Sequence, residues 1–423
     1  MKKYLLLSVF LCSAVFAQVE HSKGKSAYGF FPGFYIETAN FKSDTEGKTR
    51  LDVFLKMPYS NIQFIRSGGG FSAKYSVSIA IQDEKKEIII LERRWNEQVS
   101  SKDFTEASSK NNFNYSYRTF DLDAGNYNLR CEVIDKDSKK NYVVDLPVRV
   151  VQYKKPLQFS DLILASNKVK GDNTKIIPSV SNRTISGKSN INFYYEIYSD
   201  APTDISVEYK VLGSGDRNVH TRIVDLSLKS GRNEIHAELE NVGLVLGGYT
   251  LIVNMRDKDW KVADNISKKF VSQIFGFPES ITDLDKAIEQ MTYIASGSQI
   301  DSISEVKSFD ERLEKYKEFW KRKDPSPNTE ENEVLAEYYR RVDYANVNFK
   351  HYFDGWRTDM GMIYIILGPP SNVERHPFEY NSKPYEVWDY YDINKRFVFI
   401  DQTGFGDYRL LDQQYGDWYR YRQ

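Results

Sequence analysis

Cysteine is almost missing from this sequence. There are two in 423 residues, Cys12 and Cys131. Cys12 lies in an apolar N-terminal stretch that reads as a leader. An exported product would keep Cys131 alone, which excludes an internal disulfide and leaves stability to packed cores. Histidine is scarce too. None of His21, His220, His236, His351 and His376 falls at a H-E-x-x-H or other close metal-binding spacing. No G-x-S-x-G elbow occurs. The tripeptide Gly187-Lys188-Ser189 fails as a phosphate loop, because Asn182 stands where the first glycine belongs. Excess positive charge is absent: 58 Lys and Arg meet 59 Asp and Glu, for a net charge of -1. With no basic run interleaved with aromatics, a nucleic-acid surface is not expected. No segment approaches 18 consecutive apolar residues, so no membrane span is expected after leader removal. No cofactor motif is present and none is expected.

The N-terminus, MKKYLLLSVFLCSAVFAQVE, has a basic start, a short apolar core and a small-residue exit. This pattern predicts a signal peptide over 1–17, cleaved between Ala17 and Gln18, and hence a periplasmic or extracellular protein. Leu11 before Cys12 argues against lipidation.

Aromatics are plentiful at 14%, with 30 tyrosines, which suits β-sheets and partner-facing surfaces. The most informative pattern is a repeat. GNYNLRCEVIDKD (125–137) aligns without a gap with GGYTLIVNMRDKD (247–259). Each copy reads as a turn, an alternating strand and a polar turn. The Gly-x-Tyr-x-Leu start matches the tyrosine corner of immunoglobulin-like sandwiches. Leu129, Cys131 and Val133 share one face, which makes Cys131 a buried small hydrophobe. The Asp-Lys-Asp tails have too few oxygen ligands for calcium and read as solvated hairpin turns.

Strand patterns flank both repeats. They predict two tandem antiparallel Ig-like β-sandwiches over 28–155 and 156–275, joined at Lys154-Lys155-Pro156. The second half turns helical. Leu284, Ile288, Met291 and Ala295 form one stripe, entered at Thr282 and left at Gly297. Ser308 and Glu311 predict a capping box, and Asp324-Pro325 a stop. Thr329 predicts the start of a helix with Leu335, Tyr339, Val342, Ala345 and Phe349 on one face. Gly355 is read as that helix's left-handed exit. Thr358 is the expected N-cap of a short helix closed by Gly368, with Asp359 in its first turn. Three strands follow, at 385–391, 396–401 and 407–411. Phe397 and Phe399 alternate with Val398 and Ile400, so both faces of that strand should be covered. The fold class expected is therefore mainly β with a C-terminal α+β domain. That domain, over 280–415, comprises helices and a three-stranded antiparallel meander.

Residues 355–359, GWRTD, resemble the name-giving motif of the GWxTD domain family of exported bacterial proteins. The runs FWKRKDPSPNTEENEV (319–334), GMIYIILGPP (361–370), YEVWDYY (385–391) and FVFIDQTGFGDYRL (397–410) extend the resemblance. The family brings no established activity or catalytic residues.

Three functional readings follow. The first is a non-catalytic scaffold of the bacterial cell envelope, binding other proteins through sandwich and GWxTD-domain surfaces. The second is a glycan- or peptide-binding protein that uses Trp356, Asp359, Tyr364, Glu386 and Trp388, with Tyr390 and Tyr391 as further aromatics. The third is a hydrolase built on His351, Asp354, Asp359, Glu386, Asp401 and Asp407. In that last set each carboxylate also has a structural use, Glu386 being expected to pair with Arg396 or Arg409. The first reading is preferred, without catalysis, a metal or a cofactor.

Overall fold

The computed structural model describes residues 33–411, except 110–111, 166–178, 180–182, 186–189, 257–259, 275–276, 279, 328–331 and 378–381. The leader, the Gly187-Lys188-Ser189 tripeptide, the second Asp-Lys-Asp tail and Thr329 lie outside the described residues.

Alternation of apolar and polar residues builds the first sandwich. A three-stranded sheet (Tyr35–Lys42, Thr49–Pro58, Phe113–Leu122) faces a five-stranded one (Ile65–Ser67, Gly70–Asp83, Ile89–Ser101, Gly125–Asp135, Asn141–Val150). Leu51, Val53 and Leu55 of one sheet meet Val77, Ile79, Leu129 and Cys131 of the other in a single core. Cys131 is fully buried and unpaired, and burial pushes its thiol pKa up. A short helix, α1 (Phe104–Ser108), bridges two strands.

The second sandwich pairs Leu157–Phe159, Ile163–Ala165, Ile191–Ser199 and Gly231–Leu239 against a sheet of Arg183–Ile185, Val262–Gln273, Gly247–Arg256, Thr203–Leu212 and Asn218–Leu228. Arg183–Ile185 runs parallel to its neighbour; the other pairs in this sandwich are antiparallel. Both repeats form the corner. The Tyr127 hydroxyl donates to the Asp123 carbonyl at 2.9 Å and the Tyr249 hydroxyl to the Val245 carbonyl at 3.0 Å. The first Asp-Lys-Asp turn differs from expectation. Asp135 is buried and accepts from the backbone N–H groups of Gln63, Asp137 and Ser138, so its carboxylate organises the turn instead of being solvated.

The two sandwiches meet through a built interface. The outer face of the three-stranded sheet presents Ala39, Phe41 and Phe54 to Ile163 and Tyr194. Around this patch Glu196 accepts hydrogen bonds from Tyr194 and Tyr198 and pairs with Arg50 at 3.1 Å and Arg232 at 3.3 Å. Asp161 accepts from the Asn40 backbone and side chain, and Glu37 pairs with Lys268.

The helices are α2 (Leu284–Gln290), α3 (Gly297–Ser304), α4 (Phe309–Arg322), α5 (Glu333–Asn348) and α6 (Asp359–Leu367). Several boundaries correct the sequence reading. Asp283, not Thr282, caps α2. Gly297 begins α3 instead of ending its predecessor, because Ser296 and Gln299 form the capping box there. Ser308 makes no side-chain cap bond, so the box expected with Glu311 does not form. Asn332 caps α5. The apolar faces of α2 to α5 merge with Leu246 and Ile274 of the second sandwich into one core, which joins the C-terminal part to the rest.

The last sheet has four strands: Asn372–His376, Tyr385–Tyr390, Lys395–Asp401 and Tyr408–Leu410, in sequence order. The first of these adds an edge to the expected three. Asn394 adopts the left-handed conformation that its hairpin needs. One face of this sheet, with Trp388, Phe397 and Phe399, packs on Met360, Ile363 and Tyr364 of α6. The other carries half-buried Val398 and Ile400.

Candidate functional site

The GWRTD segment is a junction. Gly355 opens a 3-10 turn, Gly355–Arg357, and does not terminate α5, which ends six residues earlier at Phe349 with a negative φ. Glycine is needed there for another reason: a Cβ on Gly355 would sit 1.8 Å from the Ala345 carbonyl oxygen of α5. Trp356 is only 5% exposed and belongs to the helical core. Its carbonyl accepts from the Tyr293 hydroxyl at 2.9 Å, and its N–H donates to Asn346 at 3.1 Å. Arg357 lies over the Trp356 ring and pairs with Glu289. Thr358 caps α6, accepting from the Gly361 N–H at 3.0 Å. Asp359 adds favourable charge to the first turn and accepts from the Leu410 N–H at 2.8 Å, tying the helix start to the last strand. At the other end Arg341 donates to the carbonyls of Ile365 and Ile366.

Helix α6 is apolar nearly all round because it is covered on two sides, by the α2–α5 core through Ile365 and by the sheet through Ile363 and Tyr364. Where the end of α5, the start of α6 and the sheet splay apart, a cleft of about 270 Å³ opens. Its floor is aromatic, with Tyr344, Phe349, Tyr364 and Trp388. Tyr344 and Tyr364 stack at 4.2 Å, and burial raises the Tyr364 hydroxyl pKa. Its polar lining includes Lys350, His351, Arg375, Glu386 and Asp407.

Of the residues expected to bind, the structure brings Tyr364, Glu386 and Trp388 to this cleft. Trp356 and Asp359 do not line it: the first fills the helical core and the second joins α6 to the sheet. Tyr390 is buried against Phe397 and donates to the Gly368 carbonyl, whereas Tyr391 is 65% exposed outside the cleft lining.

The six acid–base candidates divide in the same way. His351, Glu386 and Asp407 line the cleft, and Asp354, Asp359 and Asp401 do not. Glu386 accepts from Arg375 at 3.0 Å and from the Trp388 indole at 3.3 Å. This corrects the expected pairing: Arg396 goes to Asp389 and Arg409 to Asp407. Asp354 pairs with Lys286 at 2.9 Å, and that hydrogen-bonded ammonium lowers its pKa. Asp401 is a turn organiser. Burial pushes its pKa upward, but the N–H groups of Gly406, Gly404 and Thr403 and the Thr403 hydroxyl outweigh that and hold it low. Among the described residues no group of three or more His, Cys, Asp or Glu could hold a metal ion.

One feature beside the cleft-lining His351 has no signal in the sequence pattern. Tyr352, Phe353 and Phe405 are 82, 61 and 76% exposed, and His351 contacts the ring of the first and the backbone carbonyls of the other two. The Tyr352 ring meets the His351 ring edge-on at 4.3 Å, His351 N–H donates to the Phe353 carbonyl, and His351 Nε2 lies 2.5 Å from the Phe405 carbonyl oxygen. The loop positions involved are more than fifty residues apart, and neither carries a periodicity that would mark it.

Residues 258–415 match the family model described as the GWxTD domain. No curated protein matches the chain. Among solved structures it is similar to a transglutaminase from red sea bream, at 9% identity over 56% of this chain and 31% of that one, with a TM-score of 0.18. It is also similar to a DUF4785 family protein from Legionella pneumophila, at 11% identity over 57% of this chain and 56% of that one, with a TM-score of 0.20. The chain thus spans about a third of the first and just over half of the second.

Proposed function

We propose that this chain, which carries a GWxTD domain, is a non-catalytic interaction protein of the bacterial cell envelope. In this reading its leader exports it, its sandwiches act as a stiff support, and its C-terminal domain docks a protein partner. The observation that carries the reading is the exposure of Tyr352, Phe353 and Phe405, which contact the cleft-lining His351 through one ring and two backbone carbonyls, in a domain whose other marked residues are spent on packing. Exposed apolar surface rimmed by polar groups is the usual mark of a protein contact. The carboxylates at the cleft support the same view, since Glu386 and Asp407 are each held by an arginine. Trp388 and Tyr364 are 3 and 2% exposed and offer no free ring face for a sugar to stack on.

The test is cross-linking of the full chain in intact cell envelopes, followed by affinity isolation. A protein recovered in fixed proportion, and lost when Phe353 and Phe405 are both changed to Ser, supports the reading. A monodisperse monomer that retrieves nothing in envelopes or culture fluid overturns it.

A further inference from the structure

We propose that the first sandwich is hinged on the rest of the chain, and that a proton on the Asp52 carboxyl group holds the hinge shut. The inference is independent of the docking reading above. It concerns how stiff the two-sandwich support is.

Packing places the hinge. The C-terminal helices share one apolar core with Leu246 and Ile274, so the second sandwich and the C-terminal domain form one body. The core of the first sandwich contains no residue of that body. The apolar part of the joint between them is a separate small cluster, Ala39, Phe41, Phe54, Ile163 and Tyr194, with Tyr35 packed against it. The chain crosses once, through 151–156, which has no regular secondary structure. The joint can therefore part while both cores stay packed.

Polar groups make the other contacts of the joint. The Asn40 N–H donates to Asp161 Oδ2 at 2.7 Å, and the Asp161 N–H donates to the Asn40 carbonyl at 3.0 Å. The Lys42 N–H donates to the Tyr198 hydroxyl at 2.7 Å. Arg232 reaches the Lys42 carbonyl at 3.0 Å and Asp44 at 2.6 Å. Satisfaction is incomplete. Among the described residues Glu37 Oε2 and Asn40 Oδ1 are buried with no hydrogen-bond partner, a cost that opening to water removes.

Asp52 belongs to this polar set and is 3% exposed. The groups facing it are Arg50 from its own strand at 3.0 Å, the Tyr117 hydroxyl from Phe113–Leu122, Glu196 from Ile191–Ser199, and Tyr153 from the connecting segment. Arg50 pairs with Glu196 as well, so one carboxylate from each sandwich shares a single guanidinium. Glu196 also takes Arg232 from Gly231–Leu239. Burial, aided by the Glu196 charge and opposed by Arg50 and Tyr117, raises the Asp52 pKa to about 6. Opening admits water and returns the group toward its ordinary value near 4. The closed joint therefore binds more protons than the open one between about pH 4 and 6, and rising pH favours opening. Glu37, raised chiefly by burial against the pull of Lys268, titrates in the same direction.

Hydrogen–deuterium exchange of the full chain tests the proposal. It is resolved to single amides by fragmentation mass spectrometry and corrected for the intrinsic rate at each pH. The amides of Asn40, Lys42 and Asp161, whose partners lie across the joint, should exchange faster than those of Val77 and Val207 in the two cores. Their protection should fall about tenfold between pH 5 and 7. Asp52→Asn should shrink that dependence, and Asp52→Asn combined with Glu37→Gln should abolish it. If either variant folds poorly, the pH profile of the parent decides by itself. Joint amides as protected as the core amides, protection that is flat from pH 5 to 7, or a dependence that the folded double variant retains overturns the proposal.

Discussion

A methyl group on Gly355 would meet the Ala345 carbonyl oxygen at 1.8 Å, and one on Gly361 would meet the Gly355 carbonyl oxygen at 1.9 Å. Both obstacles are backbone, so no side chain can swing aside to relieve them. Gly355→Ala should therefore force α5 and the 3-10 turn apart and destabilise the C-terminal domain by about 3 kcal/mol. Thr358→Ala removes only the cap bond to Gly361 and should cost about 1 kcal/mol. Urea unfolding followed by tryptophan fluorescence would order the two. A Gly355→Ala variant as stable as Thr358→Ala would show that the close approach is not a feature of the folded protein. At this scale the sequence marks positions without always revealing their use. Thr358 announced its cap because an N-cap is a local event, decided by the three residues after it. Gly355 reads as a helix exit because glycine's two virtues, positive φ and lack of a Cβ, leave the same letter. Only the position of α5 tells them apart. Trp356, expected among the binding residues, lies in the helical core, and the sequence does not distinguish the two because a tryptophan in a core and one on a surface are spelled alike.

Element by element, legibility followed amphipathicity and caps. Helix α6 was readable from its ends, and the two tyrosine corners from a gapless repeat. The strand Asn372–His376 is not legible in the sequence because NVERH has one apolar residue and alternates on neither face. It is held by pairing with Tyr385–Tyr390, not by its own pattern. The strand Ile89–Ser101 poses the reverse problem. It is 13 residues long and, among the described residues, pairs on one side only, with Gly70–Asp83. Ile88 just before it and Ile89 and Ile90 at its start are 64, 55 and 50% exposed. A long edge with adjacent exposed isoleucines is a template for strand addition between molecules. Part of the edge is guarded: Trp95 donates to Glu97 and Ser116, and Arg118 stacks on the Trp95 ring at 4.3 Å. The isoleucines precede this guarded part. Ile90→Lys should leave unfolding within about 0.5 kcal/mol of the parent, while slowing aggregation on warming as read by light scattering. An unchanged aggregation rate would place the self-association hazard elsewhere.

On the scale of the whole molecule, the sandwiches and the C-terminal domain are not beads on a linker. The residues that join the sandwiches are far apart in sequence: Arg50 meets Glu196 and Asn40 meets Asp161. Nothing local forecasts such pairs, so the interface is invisible in the sequence while the domains on either side are legible. The interface is also polar, and that carries a cost in ionised groups taken from water. Asp52 shows it. The carboxylate is 3% exposed beside Arg50, and burial, outweighing that attraction, raises its pKa to about 6. Because the unfolded chain releases this proton near pH 4, the folded protein binds more protons than the unfolded one between about pH 4 and 6. The group's contribution is complete below pH 4 and is lost as pH rises through 6. Glu37, raised chiefly by burial against the pull of Lys268, acts in the same direction. Asp52→Asn removes one titration and keeps an acceptor for Arg50. The variant should gain stability relative to the parent, on the order of 2 kcal/mol, as pH goes from 4.5 to 7.5. Comparing the two proteins at each pH cancels the opposite contributions of carboxylates with lowered pKa, such as Asp354 and Glu337. A difference between parent and variant that stays flat across this range would mean that Asp52 is already solvated, and that the sandwiches are held less closely than the Arg50–Glu196 pair requires.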